Sequence, residues 1–185
     1  MAGETFAKVL KNLVPTEPLQ RGMQFASVAV IIRDRQSPSI LLIRRAERAG
    51  DPWSGQVAFP GGKMQEGDRS VRDTAIRETM EEVGLDLGRS AEFLGYGEVA
   101  TTHTGTMDVI PSVFELKQSV EVNPNSEVAS FRWVELELLL APSSRSTFDL
   151  NRNGKVAGMP AYAAGDYIVW GLTYRILSRM LEGTG

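Results

Sequence analysis

The chain has 185 residues, with 20 Lys and Arg against 23 Asp and Glu, a net charge of −3, one histidine and no cysteine. That balance argues against a general nucleic-acid binder, which presents a basic face. The missing cysteines exclude disulfides, thiolate metal sites and cysteine nucleophiles. No apolar run is long enough to span a bilayer, and the first residues lack the apolar core of a secretory signal. The expectation is one cytoplasmic domain over 1–185, long enough to bury a core, with no membrane and no nucleic-acid partner.

In chain order, Phe6, Val9, Leu10 and Leu13 repeat at helical spacing and predict a helix over 4–14, ended by Pro15 and Pro18. Two β-rich runs, 25–32 and 40–45, flank the turn-forming Asp34, Ser37 and Pro38, which predicts a hairpin. A loop over 46–55 is broken by Gly50, Pro52 and Gly55, and a short strand over 57–59 leads into Pro60-Gly61-Gly62. A helix follows over 70–83. Ser70 with Asp73 three residues on marks its start, and Gly84 is suited to the left-handed conformation that ends helices. Ile76, Met80 and Val83 form its apolar stripe, with Glu78 and Glu82 pointing roughly the other way. Further strands are predicted over 93–101, 107–116 and 130–134, separated by polar loops at 102–105 and 123–126. Residues 135–140 read as helical, 141–166 as irregular, and Trp170, Tyr174, Leu177 and Leu181 as the stripe of a last helix. The order predicts an α/β/α sandwich, a mixed sheet with helices on both sides.

The chemistry concentrates between Gly55 and Leu85. Glu78 and Glu82 stand four residues apart on one helical face, and Glu81 is three from Glu78. Such crowded carboxylates repel unless a positive charge sits among them. Mg²⁺ prefers oxygen ligands and is commonly shared with substrate phosphates, so the pattern reads as a metal-binding helix for phosphate chemistry. The plainer alternative is a solvated charged face. The preceding glycine turn and the spacing of Arg77 favour the metal.

These residues resemble the Nudix box, Gly-x5-Glu-x7-Arg-Glu-U-x-Glu-Glu-x-Gly-U with U apolar. Arg77, Glu78, Glu81, Glu82, Gly84 and Leu85 fall in place. Thr79 stands where an aliphatic residue is usual, the stretch from Gly62 to Arg77 is one residue longer, and Asp68 fills the first acidic position. The longer spacing and Gln56-Val57-Ala58-Phe59-Pro60-Gly61-Gly62 are similar to the subgroup related to coenzyme A diphosphatases. Glu127-Val128 to Trp133-Val134 and Ile168 to Thr173 share that likeness, whereas Ile43 and Ala46 replace the subgroup's usual Thr and Ser.

The resemblance implies a Nudix-type α/β/α sandwich that hydrolyses a nucleoside diphosphate linked to a group X, using Mg²⁺ or Mn²⁺. It implies Glu78, Glu81 and Glu82 as metal ligands, with the Gly62 backbone carbonyl. Arg77 would brace a box carboxylate, and Arg45 and Lys63 would bind substrate. Glu127, on a loop, is a candidate base. His103 rivals it because imidazole is the side chain suited to proton transfer at neutral pH, and otherwise reads as an exposed loop residue. Trp53, Phe59 and Tyr96 are candidates to stack on a base, or are packing residues. Coenzyme A or a derivative leads as substrate, before ADP-ribose, another dinucleotide or a nucleoside triphosphate. A non-catalytic nucleotide-sensing domain is the alternative of another class; the related isomerase chemistry needs a cysteine that the chain lacks. A homodimer is compatible with the fold.

Overall fold

Strand β1 (Gln24–Arg33) is the hub of the main sheet in the computed structural model, which describes residues 2–18, 24–51, 53–152 and 155–182. On one edge β1 runs parallel to β7 (Met107–Leu116), from Gln24↔Met107 to Ile32↔Glu115. Its other edge is shared by two antiparallel partners. Near its start it pairs with β4 (Gly61–Lys63), Val28 opposite Gly61, and near its end with β2 (Ser39–Arg45), Ile32 opposite Ile40. β3 (Val57–Ala58) and β8 (Val128–Glu135) pair antiparallel with β2, and β5 (Ala91–Tyr96) and β6 (Ala100–Thr101) with β7. The predicted hairpin is thus present. Asp34 closes its turn at φ 58°, its carboxylate accepting the Gln36 N–H at 2.9 Å.

Alternation along β1 and β2 feeds two cores. Ala26, Val30, Ile32, Ile40 and Leu42 face a cluster completed by α1 (Ala2–Lys11), α4 (Leu136–Leu140) and α5 (Gly171–Glu182). A second, three-stranded sheet joins that cluster: β9 (Arg145–Arg152), β10 (Lys155–Ala164) and β11 (Tyr167–Trp170). Ala29, Ile31, Leu41 and Ile43 face the opposite side, against α2 (Val71–Val83) and α3 (Leu87–Ser90). Burial on both faces is why these strands read as nearly continuous apolar runs. Each such Ile or Leu contributes about 1.5–3 kcal/mol by leaving water. The α/β/α arrangement with a mixed sheet is the one the sequence predicts.

Several predicted elements need correction. The first helix stops at Lys11, not 14, because the Val14 N–H is drawn into a bridge with the Tyr96 carbonyl at 2.8 Å. The strand over 93–101 is two strands, interrupted where the Gly97 N–H bonds Pro111 O. Residues 141–166 are not irregular: a 3₁₀ turn (Pro142–Ser144) is followed by β9 and β10, paired from Tyr162↔Arg145 to Lys155↔Arg152. Trp170 ends β11 instead of lying on the last helix, while Leu177 and Leu181 do line the buried side of α5. Pro52 lies outside the described residues.

Candidate active site

The box helix α2 is anchored at both ends. The Ser70 side chain accepts the Asp73 N–H at 3.1 Å, and Gly84 adopts φ 69° with its N–H on Met80 O at 3.1 Å. Its buried residues are Val71, Thr74, Ala75, Thr79, Glu82 and Val83. This corrects the predicted stripe. Met80 is 53% exposed, and Glu82, expected to point away from the core, is 4% exposed. The helix thus drives one carboxylate under the glycine turn.

Two glycines make that approach possible. A Cβ on Gly61 would lie 2.3 Å from Ser27 O, and Gly61 holds φ +155°, a conformation side chains avoid. A Cβ on Gly62 would lie 2.5–2.6 Å from the carboxyl atoms of Glu78. Glu78 is therefore packed directly on the Gly62 backbone, and Glu82 Oε2 accepts the Gly61 N–H at 2.9 Å. Burial pushes the Glu78 carboxyl above its ordinary pKa, against the pull of Arg77. Burial pushes Glu82 up to about 7, with the Gly61 N–H and Arg45 only partly offsetting it.

Arg77 organises the outer side. Its Nε and Nη2 hold both Asp68 oxygens at 3.0 Å, Nη1 donates to Glu78 at 2.8 Å and lies 3.3 Å from Glu81, and Nη2 donates to Lys63 O at 3.1 Å. Asp68 also accepts from Thr74 Oγ1 and the Gln65 N–H, both at 2.9 Å. The guanidinium foremost, aided by these donors, holds the Asp68 carboxyl near a pKa of about 2. Asp68, the displaced first acid of the motif, is thus the fixed member of the group, and Glu81 is the loose one, its side chain 54% exposed. The Lys63 side chain is exposed.

Arg45 closes the other side, 3.6 Å from Glu82 and 3.2 Å from Asp51. Asp51 also accepts the Trp53 N–H at 2.9 Å, which ties the loop after β2 to the site. Glu127 pairs with Arg48 at 3.2 Å, and its charge acts on Glu82. Its loop is fastened to the end of α2: Asn125 donates its side-chain N–H to Glu81 O and its backbone N–H to Glu82 O, both at 2.8 Å, and accepts the Glu127 N–H at 2.7 Å. The structure therefore brings Arg45, Gly62, Arg77, Glu78, Glu81, Glu82 and Glu127 to one place. His103 lies on the exposed β6–β7 turn; Phe59 and Tyr96 are core residues, Tyr96 edge-on to Phe93 at 4.9 Å, and Trp53 is 49% exposed. Asp51, Thr74 and Asn125 were not singled out from the sequence, because no motif spacing marks them.

Among the described residues, no three carboxylate or imidazole side chains gather closely enough to chelate an ion alone. The donor set still suits a hard cation that completes its shell with water and phosphate oxygens. Two carboxylates sit at the glycine turn, and the more buried one lacks full charge compensation.

Residues 23–150 match the family model of the NUDIX domain. The chain is 31% identical over 169 residues to the uncharacterized Nudix hydrolase NudL of Photorhabdus laumondii, covering 91% of this chain and 89% of that protein. It is 31% identical over 186 residues to NudL of Yersinia enterocolitica, covering 98% and 94%. An uncharacterized protein of Schizosaccharomyces pombe is 34% identical over 164 residues; there the match takes in 76% of this chain but only 49% of the relative. In fold, the chain is similar to a MutT/nudix family protein from Enterococcus faecalis, with TM-score 0.56 and 17% identity over 88% of this chain and 62% of the other. It is also similar to a C. elegans Ap4A hydrolase in a binary complex, with TM-score 0.50 and 23% identity over 60% and 80%. Glycines seated on carboxylates, an arginine bracing the first acid, a family model matched over residues 23–150 and two NudL relatives matched along most of their length lead to one conclusion: this chain belongs to the Nudix hydrolase family.

Proposed function

We propose that the chain, as one catalytic unit over 1–185, hydrolyses the diphosphate bond of a nucleoside diphosphate linked to X, with coenzyme A or a derivative as X-bearing substrate. The observation that carries the reaction is the seating of Glu78 and Glu82 on the Gly61–Gly62 turn, with Glu82 buried and short of positive charge. Glu78, Glu82 and the Gly62 carbonyl are the proposed ligands of Mg²⁺ or Mn²⁺, with Glu81 reaching in from the exposed side. The cation supplies neutralisation of the diphosphate oxygens and a lower pKa for bound water.

The chain's own residues do the rest. Arg77 positions Glu78 while Asp68 fixes Arg77. Arg45 takes a diphosphate oxygen, exchanging part of its contact with Asp51 and Glu82. Lys63, at the open rim, meets an outer phosphate. Glu127, held by the Asn125 tether, accepts the proton of the attacking water. The new P–O bond forms from that water, the bridging P–O bond breaks, and the departing phosphate keeps the bonding pair. With coenzyme A the products are 3′,5′-ADP and 4′-phosphopantetheine. The run Gln56–Gly62 and the lengthened motif support this substrate. A cytoplasmic site of action is compatible with the cysteine-free composition. No helix among the described residues is long and apolar enough to cross a membrane.

Product analysis tests the proposal on coenzyme A, acetyl-coenzyme A, ADP-ribose, dinucleotides and nucleoside triphosphates, each with Mg²⁺ or Mn²⁺. The expected result is 4′-phosphopantetheine and 3′,5′-ADP well above other products. A preference for ADP-ribose overturns the substrate and keeps the reaction. Tight nucleotide binding without any turnover overturns the reaction itself.

A further inference from the structure

The cations around the box are not equally occupied. Arg77 meets Asp68, Glu78 and Glu81, and Arg45 meets Asp51 and Glu82. Arg48 bonds one carboxylate, Glu127, through Nη1 alone at 3.2 Å. Among the described residues, its Nε and Nη2 donate to no group. Both side chains are open to solvent, Arg48 46% and Glu127 43% exposed. The Arg48 backbone, by contrast, is fixed. Its N–H donates to Ser54 Oγ at 2.8 Å, and its carbonyl accepts the Asp51 N–H at 3.2 Å. Asp51 also holds Arg45, so one anchored loop presents a saturated guanidinium and, three residues on, an exposed and unsaturated one. Glu127 stands between Arg48 and the box: it bonds the first, and its charge acts on Glu82.

An exposed ion pair of this kind is weak, and a stronger anion displaces it. Each phosphate inside a diphosphate diester carries a single negative charge, no more than Glu127 itself. A phosphomonoester carries about −1.5 to −2 at neutral pH and offers three oxygens to the guanidinium fork. On the diphosphate-hydrolase reading given above, we infer that Arg48 is a specificity-determining residue. It binds a phosphomonoester that the substrate carries outside its diphosphate. Glu127 holds that place in the free protein. When the phosphomonoester takes the guanidinium, Glu127 is released with both oxygens free to face the attacking water. The 3′-phosphate of coenzyme A is such a group, and ADP-ribose has none.

Coenzyme A and 3′-dephospho-coenzyme A differ by this one group, and steady-state kinetics on the pair test the inference. The wild type is expected to favour coenzyme A in kcat/KM by about 10-fold to 100-fold, the range of one charge-assisted contact. Arg48→Gln is expected to bring that ratio close to one, by slowing coenzyme A and not its dephospho form. Lys8→Gln makes the same charge change on α1, across the sheet, and is expected to leave the ratio as it is. A wild type that treats both compounds alike overturns the inference and leaves the diphosphate reaction standing. So does a preference that survives Arg48→Gln, or one that falls equally in Lys8→Gln. If neither compound turns over, the proposed reaction fails, and calorimetric binding of 3′,5′-ADP against 5′-AMP decides Arg48 by itself. Tighter 3′,5′-ADP in the wild type but not in Arg48→Gln supports the contact. Equal affinities, or a difference that Arg48→Gln keeps, overturn it.

Discussion

Two ionic clusters in this molecule are built from similar parts and end in opposite conditions. At the far end of β1 and β7, Glu115 is buried and held by Arg35 and by Lys117, which also reaches Glu92. Two acids meet two bases there, and the Arg35 contact foremost draws the Glu115 pKa down to about 2. At the box, Asp68, Glu78 and Glu81 share Arg77, and Arg45 is divided between Glu82 and Asp51. Glu82 is left raised, near 7. The first cluster is complete in itself, as a structural ion network must be. The second is short of positive charge where two carboxylates touch backbone. A buried acid whose charge is not compensated by its own chain marks a place where something positive belongs.

Glu82→Gln sharpens that contrast most. Turnover is expected to fall on the order of 1,000-fold or more, and Mg²⁺ should raise the melting temperature of the wild type but not of the variant. Steady-state kinetics and thermal melts check both. Near-normal turnover would remove Glu82 from the proposed metal site and with it the meaning of the contrast. Gly62→Ala comes next. Its methyl group must displace the Glu78 carboxyl, so kcat is expected to fall about 100-fold, in line with a misplaced reacting group. Wild-type kcat would show that the Gly62–Glu78 contact does not matter to the reaction.

The complete cluster makes the converse prediction. A depressed carboxyl stabilises the fold above its unfolded pKa, and the contribution is lost as pH falls through the folded value. For Glu115 that window runs from the ordinary 4.5 down to about 2. Glu115→Gln should cost on the order of 2 kcal/mol at neutral pH. It should also flatten the acid limb of stability in that window while leaving kcat alone. Urea melts across pH measure this, and an unchanged acid limb would show that Glu115 is not the group responsible. The smallest effect concerns Thr79, fully buried between the two clusters' helix and sheet, whose hydroxyl finds no partner. Thr79→Val should stabilise by about 1 kcal/mol, since it removes a desolvated hydroxyl at constant shape. Destabilisation in a denaturant melt would show that the hydroxyl is satisfied in solution.

The difference also explains what could be read from the residues alone. The box is legible because a helix imposes fixed spacings on Arg77, Glu78 and Glu82, and Asp68 is found by counting one residue further. The hub strands are legible because both faces are buried. The far cluster is not, since its members come from three segments, Arg35, Glu92 and Glu115-Lys117, that only the sheet brings together. Nor are β9 and β10. β10 is filled with Ala, Gly and Pro, and β9 carries Asp149 and Asn151, all residues of weak strand preference, so pairing partners supply the order instead. The depth of Glu82 was misread for a related reason. Helical spacing tells which residues share a face, and the Gly61–Gly62 turn, not the helix, determines that this face is covered.

The Asn125 tether has a consequence for how the site opens. Asn123 and Asn125 bond the last carbonyls of α2, Asn125 holds Glu127, and the Glu127 carbonyl accepts the Ala46 N–H beside Arg45. The amides of Asn123, Asn125, Glu127 and Ala46 thus form one chain of protection. Hydrogen exchange at these four positions should proceed through a single shared fluctuation, with a common opening free energy. Ligand that slows exchange at Ala46 should then slow it at Asn125 by the same factor.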